Sequence, residues 1–574
     1  MDKEKQSSLC PLWLTVRLRT LRFAMAGACV ATLLAMWLIP CQMAWGKYGS
    51  LYTFAYSFDE VTYADLVQPR IQGTTAANPV NRFGEPRAIS QRFLEDLLRG
   101  CATALRLNAI EFFWIWRFLF PLVLFLTCFC LAQEALRPGK RLWRTGLAVG
   151  AAWAGTALMA CEPWLFKGSK PPDGWAERIP TNIEFPASIL MAALYLRALR
   201  APSARNWVVL AGALALLVYI RLYAALPWAL AICCGALLLL VRGELPRWVA
   251  LVAGASFVLG LVPWLAVYWH NSRLPVQAEV LKRYFERLGG ASGYAAHWRW
   301  WLYFLFAAAW GLAARFMGRR DRVLAVSGAL VMLVTPFVVG ALPVAGELLA
   351  MDRYSNFYWP LTFAAVLLVI AHASTAWRGR AGWRSWRRCV SGLAAASLAL
   401  AAVVAWRGAT LDLMKTRWPV YRTLVRQGDC IRAYRWIAEH TPPEALFLVD
   451  DGYSWKELQH ELTPGWLFNR PIGEIDLFTL LAQRQRVYSF LLLSCSISDK
   501  QFMELGLLHL ATFDLPLAEN DYSELLRRYH PDYVFWRKIK GLVRRPPRIL
   551  LGMREVVYRD DYCEIWALNY QARE

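Results

Sequence analysis

Charge is scarce in this chain. Asp, Glu, Lys and Arg make up 18% of its 574 residues, against about a quarter in an ordinary soluble domain. Between residues 23 and 41 there is no charged residue at all. Also absent is any Asn-x-Ser/Thr sequon, which favours a bacterial inner membrane over a eukaryotic secretory one. The 13 cysteines show no metal-ligand spacing, so no zinc ribbon or related scaffold is indicated. Cys29, Cys128, Cys130, Cys233 and Cys234 lie in apolar stretches, where a small thiol packs as a hydrophobe. Cys430, Cys495 and Cys563 fall in the C-terminal region, which leaves one disulfide among them open. That region lacks a nucleotide-binding Gly-rich loop, a P-loop and a nucleophile elbow.

Long apolar runs are abundant instead, and hydrophobic residues reach 57%. A helix crossing the hydrocarbon core of a bilayer needs roughly 20 mostly apolar residues. The first run, 23–41, follows a short basic tail of Lys3, Lys5, Arg17, Arg19 and Arg22. A cleaved signal peptide is the rival reading, but many runs follow and no small-residue cleavage site is evident. Further runs centre near Leu122, Ala154, Leu190, Gly212, Ala231, Phe257, Phe306, Val331, Val366 and Ser397. Together they predict a polytopic α-helical membrane protein of about eleven spans.

Arginine placement sets the orientation, because cytoplasmic loops carry the excess of Lys and Arg. Alternate loops do so here. They hold Arg137/Lys140/Arg141/Arg144, Arg197/Arg200/Arg205, Arg242/Arg247, Arg315/Arg319/Arg320/Arg322 and Arg378/Arg380/Arg384/Arg387/Arg388. The expectation is a cytoplasmic N-terminus and, after an odd number of spans, a periplasmic C-terminal domain. Residues 1–405 form the membrane domain, with a long outer loop at 42–107, and residues 406–574 form the outer domain. Acidic and basic residues nearly balance in the outer part, so almost all of the net charge of +22 belongs to the membrane portion. It reflects topology and anionic lipid, and gives no support for nucleic-acid binding.

In the outer loop, residues 89–107 place Phe93, Leu94, Leu97, Leu98, Cys101 and Leu105 at helical spacing. Arg92, Glu95, Asp96 and Arg99 take the other face, as in an amphipathic helix lying in the interface. In the outer domain, helices are expected at 429–440, 498–507 and 522–529. Strands are expected at 445–449, 486–490, 532–537, 555–558 and 562–568. The alternation indicates a C-terminal α/β sandwich.

Asp59 and Glu60 sit about eighteen residues beyond the first span. Adjacent carboxylates can deprotonate an acceptor or hold a hard divalent cation through oxygen; a solvated acidic pair is the plain alternative. Arg117, Arg221 and Arg353 all fall at the outer ends of apolar runs. Arginines within membrane segments are costly and default to functional candidates, although snorkelling to the interface explains Arg117 and Arg221 equally well. Tyr63 can hydrogen-bond in a site or anchor its loop among interfacial aromatics.

These residues stand in a particular order. Phe58-Asp-Glu-Val-Thr-Tyr63 follows the first span, then a Gly/Asn/Pro-rich stretch at 73–86 and the amphipathic helix. The second span opens with Trp114-Ile-Trp-Arg117, and Asp352-Arg-Tyr354 precedes Trp359-Pro360. Trp436-Ile-Ala-Glu-His-Thr-Pro-Pro443 then opens the outer domain. This layout resembles the C-class (GT-C) membrane glycosyltransferases that use polyprenyl-phosphate sugars, such as the protein mannosyltransferases and the lipid A aminoarabinose transferase. The Trp-Trp-Asp signature of the oligosaccharyltransferases is absent, which argues against transfer of a preassembled glycan to asparagine.

The resemblance implies an enzyme acting at the cell envelope. Asp59 would be the catalytic base, with Glu60 assisting it or holding Mg2+ or Mn2+. Arg353, flanked by Asp352 and Tyr354, would hold the leaving phosphate. Tyr63, Arg117, Glu162, Arg221 and Tyr354 are further substrate-binding candidates. Many relatives carry a second acid in the next outer loop; Glu162 and Glu184 are available here, and neither sits in a recognisable motif. The implied partners are a polyprenyl-phosphate-linked sugar, a glycan, lipid or protein acceptor, and membrane lipids. A non-catalytic scaffold or a transporter of lipid-linked glycan are the competing readings; a transporter would need polar or broken helices near mid-membrane.

Overall fold

The structure, a computed structural model, describes residues 27, 92–107, 109–136, 147–156, 183–276, 300–341, 351–376, 430–450, 478, 482–487, 498–513, 518–538 and 554–570. The helices are α1 (Arg92–Ala104), α2 (Ala109–Leu136), α3 (Leu147–Thr156), α4 (Glu184–Arg200), α5 (Ala204–Ile220), α6 (Leu222–Val241), α7 (Arg247–Ser272), α8 (Trp300–Ala314), α9 (Asp321–Ala341) and α10 (Met351–Ala376). The C-terminal part adds α11 (Ile431–His440), β1 (Leu446–Val449), β2 (Gln485–Arg486), α12 (Asp499–Phe513), α13 (Glu519–Tyr529), β3 (Tyr533–Arg537), β4 (Arg554–Arg559) and β5 (Cys563–Leu568). Nine of the expected apolar centres, Leu122 to Val366, fall on helices. The run at 23–41, apart from Gly27, and the run near Ser397 lie outside the described residues.

The chain divides into two compact units. One comprises Met1–Gly49, Trp116–Trp264 and Ala291–Leu413; the other comprises Ser50–Ile115, Leu265–Gly290 and Met414–Glu574.

In the first unit, local sequence sets the helix ends. Ser203 caps α5, its side chain accepting from Asn206 N–H, which satisfies one of the amides a helix start leaves open. Arg221 ends α5 by taking extended backbone (φ −164°, ψ 113°), and α6 begins at the next residue. Gly243 follows α6 at φ +66°, a left-handed conformation that glycine adopts without steric cost. In α7, Pro263 lacks an amide hydrogen. One residue on, the Tyr219 hydroxyl inserts into the ladder, donating to Gly260 O at 2.9 Å and accepting from Trp264 N–H at 3.2 Å. A side chain in the i→i−4 ladder is a recognised cause of a bend.

Small residues let the helices approach one another. The Tyr195 hydroxyl reaches Ala231 O on α6 at 2.9 Å and Ser327 Oγ on α9 at 3.0 Å. A Cβ on Gly235 would collide with that hydroxyl, and one on Gly328 would collide with Leu361. The apolar interior is built from Leu196, Leu210, Trp228, Trp310, Met332, Phe357 and their neighbours.

By length and composition, two of the described helices suffice to cross a membrane, Ala224–Val241 within α6 and Arg247–Ser272. The second is the more telling. It exposes Trp248 at 60%, Leu251 at 73% and Leu259 at 70%, which a core helix of a soluble protein would bury. Hydrocarbon, not water, suits that surface.

Helix direction alternates along the chain, and ion pairs at one end of the bundle show it. Arg200 at the end of α4 forks onto Asp321 at the start of α9, with Nε–Oδ1 2.6 Å and Nη2–Oδ2 2.8 Å. Arg200 also donates to Glu134 O and Ala135 O at the end of α2. His372 Nε2, near the end of α10, lies 3.1 Å from Asp321 Oδ2 and accepts from Gly318 N–H at 2.9 Å. Glu244 meets Arg319 at 2.9 Å and Arg320 at 3.5 Å, and Arg320 donates to Arg200 O at 2.6 Å. The arginine-bearing segments at 197–205, 242–247 and 315–322 therefore share one end.

The C-terminal fold is a three-layer α/β/α arrangement around a mixed sheet of order β2-β1-β3-β5-β4. β1 runs parallel to β2 and β3, whereas β5 is antiparallel to β3 and β4. All four β1 residues are buried, as a strand covered on both faces requires. Leu446 and Leu448 face α12 and α13 with Leu505, Leu508, Tyr522 and Val534. Phe447 and Val449 face α11 with Tyr434, Ile437, Phe535 and Ile565. The α/β alternation read from sequence holds, with local differences. In place of the strand expected at 486–490, β2 is Gln485–Arg486, with 488–490 outside the described residues, and α12 runs to Phe513, not 507. It continues because Leu508 and Ala511 bury and Thr512 Oγ1 bonds back to Leu508 O at 2.7 Å.

Candidate functional site at the rim of the helical unit

The end of the bundle away from the Arg200–Asp321 cluster carries Glu184 and Arg221. Glu184 is the first residue of α4, and Arg221 stands at the α5–α6 break. Arg221 Nε lies 3.2 Å from Glu184 Oε2, with the two side chains 17% and 15% exposed. The break itself is well bonded: Arg221 N–H donates to Leu217 O at 2.7 Å, and Ala225 N–H donates to Arg221 O at 3.2 Å. The extended residue lets two apolar helices reverse with one residue between them, and it turns a guanidinium onto the start of α4.

Arg353 and Tyr354 belong to the first turn of α10, and the chain's alternation puts that turn at the same end. Trp228 of α6 packs edge-on against Phe357 of α10 with centroids 4.9 Å apart. Arg221 precedes Trp228 by seven residues and Arg353 precedes Phe357 by four. At about 1.5 Å per residue, both backbones stand roughly one to two turns above that contact. Beneath the rim lies an aromatic floor. Trp310 meets Phe357 at 6.2 Å and donates from Nε1 to Thr362 Oγ1 at 3.1 Å, and Phe306 meets Tyr358 at 4.9 Å.

Arg117 lies in α2, and its side chain, like those of Arg353 and Tyr354, is outside the described ones. Asp59, Glu60, Tyr63 and Glu162 lie outside the described residues altogether. The structure therefore joins Glu184 to Arg221 and sets the Arg353 backbone at the same end of the bundle. Among the described residues no group of three or more His, Cys, Asp or Glu could hold a metal ion.

Two polar clusters escaped sequence reading. One is Arg200–Asp321–His372, whose single early sign is a lone acid inside Arg319-Arg320-Asp321-Arg322. The other closes the C-terminal ends of β1 and β3. There Asp450 Oδ2 accepts from Arg537 N–H at 3.2 Å, and Arg537 Nη2 donates to the Tyr434 hydroxyl at 3.3 Å. These partners come from separate elements and share no local pattern.

No family model matches this chain, and no curated protein does. Among solved structures, it is similar to the oligosaccharyltransferase of Archaeoglobus fulgidus. The complex with an inhibitory peptide and a dolichol-phosphate aligns at 13% identity and TM-score 0.47, covering 92% of this chain and 70% of that one. The complex with Zn and sulfate aligns at 13% and 0.47, covering 90% and 68%. The form tethered with an acceptor peptide containing the NVT sequon gives 12% and 0.44, covering 90% and 69%.

Proposed function

We propose that this chain is a membrane glycosyltransferase of the GT-C type. It moves a sugar from a polyprenyl phosphate to a glycan, lipid or protein acceptor at the periplasmic face of a bacterial inner membrane. The observation that supports the reading is the rim, where the Glu184–Arg221 pair and the first turn of α10 lie at the same end of the bundle, beyond an aromatic cluster. A polyprenyl-phosphate sugar keeps its chain in lipid and its phosphate at headgroup depth, so its enzyme needs acids and cations at that level.

In this reaction Asp59 takes the proton of the acceptor hydroxyl. The oxygen attacks the anomeric carbon, the bond from that carbon to the phosphate oxygen breaks, and polyprenyl phosphate leaves with the electron pair. Arg353 offsets the charge on the departing phosphate. Arg221 is already opposed by Glu184, so it presents a weaker net field and serves to shape the site; Arg117 is the remaining cation. Glu60 assists Asp59 or holds a divalent cation, and Tyr63, Tyr354 and Glu162 line the substrate. Glu184 is engaged by Arg221 and orders that guanidinium.

The test is direct. Purified full-length protein is incubated with several polyprenyl-phosphate sugars, and released polyprenyl phosphate is measured by mass analysis. Release is expected from at least one donor. Asp59→Asn is expected to lower its rate about 10²–10⁴-fold, the usual cost of removing a general base. A folded protein that releases nothing from any donor, yet still binds them, points to the scaffold reading.

A further inference from the structure

Cys430 and Cys563 stand at opposite ends of the C-terminal fold in sequence, yet they meet. Cys430 immediately precedes α11, and Cys563 opens β5, where it pairs with Arg537 of β3. Their thiols are hydrogen-bond partners, 2% and 0% exposed, in the apolar layer of Tyr434, Phe535 and Ile565. The other described cysteines that influence one another, Cys128 with Cys130 and Cys233 with Cys234, are near neighbours on single helices. Among the described cysteines, this pair links distant elements.

We propose that Cys430 and Cys563 form a disulfide that staples α11 to the interior strand β5. The proposal rests on the outer placement of this fold, because thiols persist as such in the cytoplasm and are oxidised outside it. The oxidant is an external disulfide. One cysteine thiolate attacks it and expels one thiolate, giving a mixed disulfide. The second cysteine thiolate then attacks that bond and expels the other. Two thiols and one external disulfide become the protein disulfide and two external thiols.

The surroundings fix when this happens. The hydrogen bond to Cys430, burial and the Asp560 carboxylate all push the Cys563 thiol well above its ordinary range. Asp560 Oδ1 lies 3.4 Å from Cys563 Sγ and is held there by Tyr562 and Cys563 N–H, each at 2.8 Å. In the finished fold the thiolate is disfavoured and no external disulfide reaches the sulfurs. The exchange therefore belongs to folding, before α11 seals against the sheet, and the bond is afterwards shielded from reductant.

The experiment uses the full-length protein in cells. Free thiols are blocked by alkylation on acid quenching, the protein is digested without reduction, and peptides are read by mass spectrometry. The expected result is a linked peptide containing Cys430 and Cys563 that survives reductant added to the native protein and is lost when denaturant accompanies it. In parallel, Lys500→Cys, at a side chain 86% exposed, is treated with a membrane-impermeant maleimide on spheroplasts. Alkylated Cys430 and Cys563 with Lys500→Cys labelled from outside overturns the disulfide and leaves the outer placement standing. Alkylated cysteines with Lys500→Cys labelled only after permeabilisation overturns the outer placement and the disulfide with it.

Discussion

Glu184 and Arg221 are each only about one-sixth exposed, so removing either leaves the other in a poor solvent. Arg221→Ala and Glu184→Gln should each lower the thermal unfolding temperature in detergent, and the double variant should lose less than the sum. The coupling should fall in the range of roughly 0.5–3 kcal/mol found for interacting neighbours; strict additivity would show that the 3.2 Å approach contributes nothing. Arg353→Ala should weaken donor binding measurably, and Lys should rescue only in part, because a point charge cannot reproduce the guanidinium fork. Unchanged affinity would shift the phosphate role to Arg117. Another residue contributes to the acid behaviour. Burial pushes Glu564 up, but bonds from Lys538 at 2.9 Å and Trp566 Nε1 at 3.0 Å, with Arg559 at 2.9 Å, hold it below the usual range. Its folded pKa is thus below the unfolded value of about 4.3. The stability it supplies is complete above that value and is lost as pH falls through the folded one. Stability, followed by near-ultraviolet circular dichroism, should therefore fall progressively below about pH 4, and Glu564→Gln should flatten that slope.

Among the elements, α7 offers the sharpest distinction between lipid and water. Leu259 is mid-helix and 70% exposed. An arginine there should cost about 2.5–3.5 kcal/mol of insertion free energy and reduce the fraction of protein resisting carbonate extraction. On a helix facing water the same change would be harmless. The period of apolar residues disclosed this helix and its neighbours because hydropathy integrates over many positions. The face of α1 was harder to read. Leu94, Leu98 and Ala102 are buried while Leu97, Cys101 and Leu105 are exposed. The described members of the stripe thus fall on two edges, because a four-residue spacing drifts around a helix of 3.6 residues per turn. Its second edge is left free for an apolar surface such as the membrane interface.

For the molecule as a whole, the loops joined through Arg200, Asp321, Glu244 and Arg320 give the bundle two chemically distinct ends. A reporter fused after Glu574 should be active only on the periplasmic side; activity of a stable fusion in the cytoplasm would reverse the assignment of both ends. The sequence revealed which loops share an end, since arginine counts do not depend on contacts. It did not reveal the Glu184–Arg221 pair, whose members lie on separate helices and form no motif. Asp59 and Glu60 were legible only through the order of their neighbours, and their roles stay with the proposed reaction.

The sheet order has a consequence for biosynthesis. β5 fills an interior place between β3 and β4, although it is made after both. Until Leu568 has been translated, β3 offers an unpaired edge with Val534 and Phe535 on its two faces. Such an edge is a template for wrong pairing. During synthesis the nascent fold therefore passes through an interval in which its central strand is incompletely partnered. Stalling or truncation between β3 and β5 should yield an aggregation-prone chain, where loss of an edge strand such as β2 would yield only a less stable one.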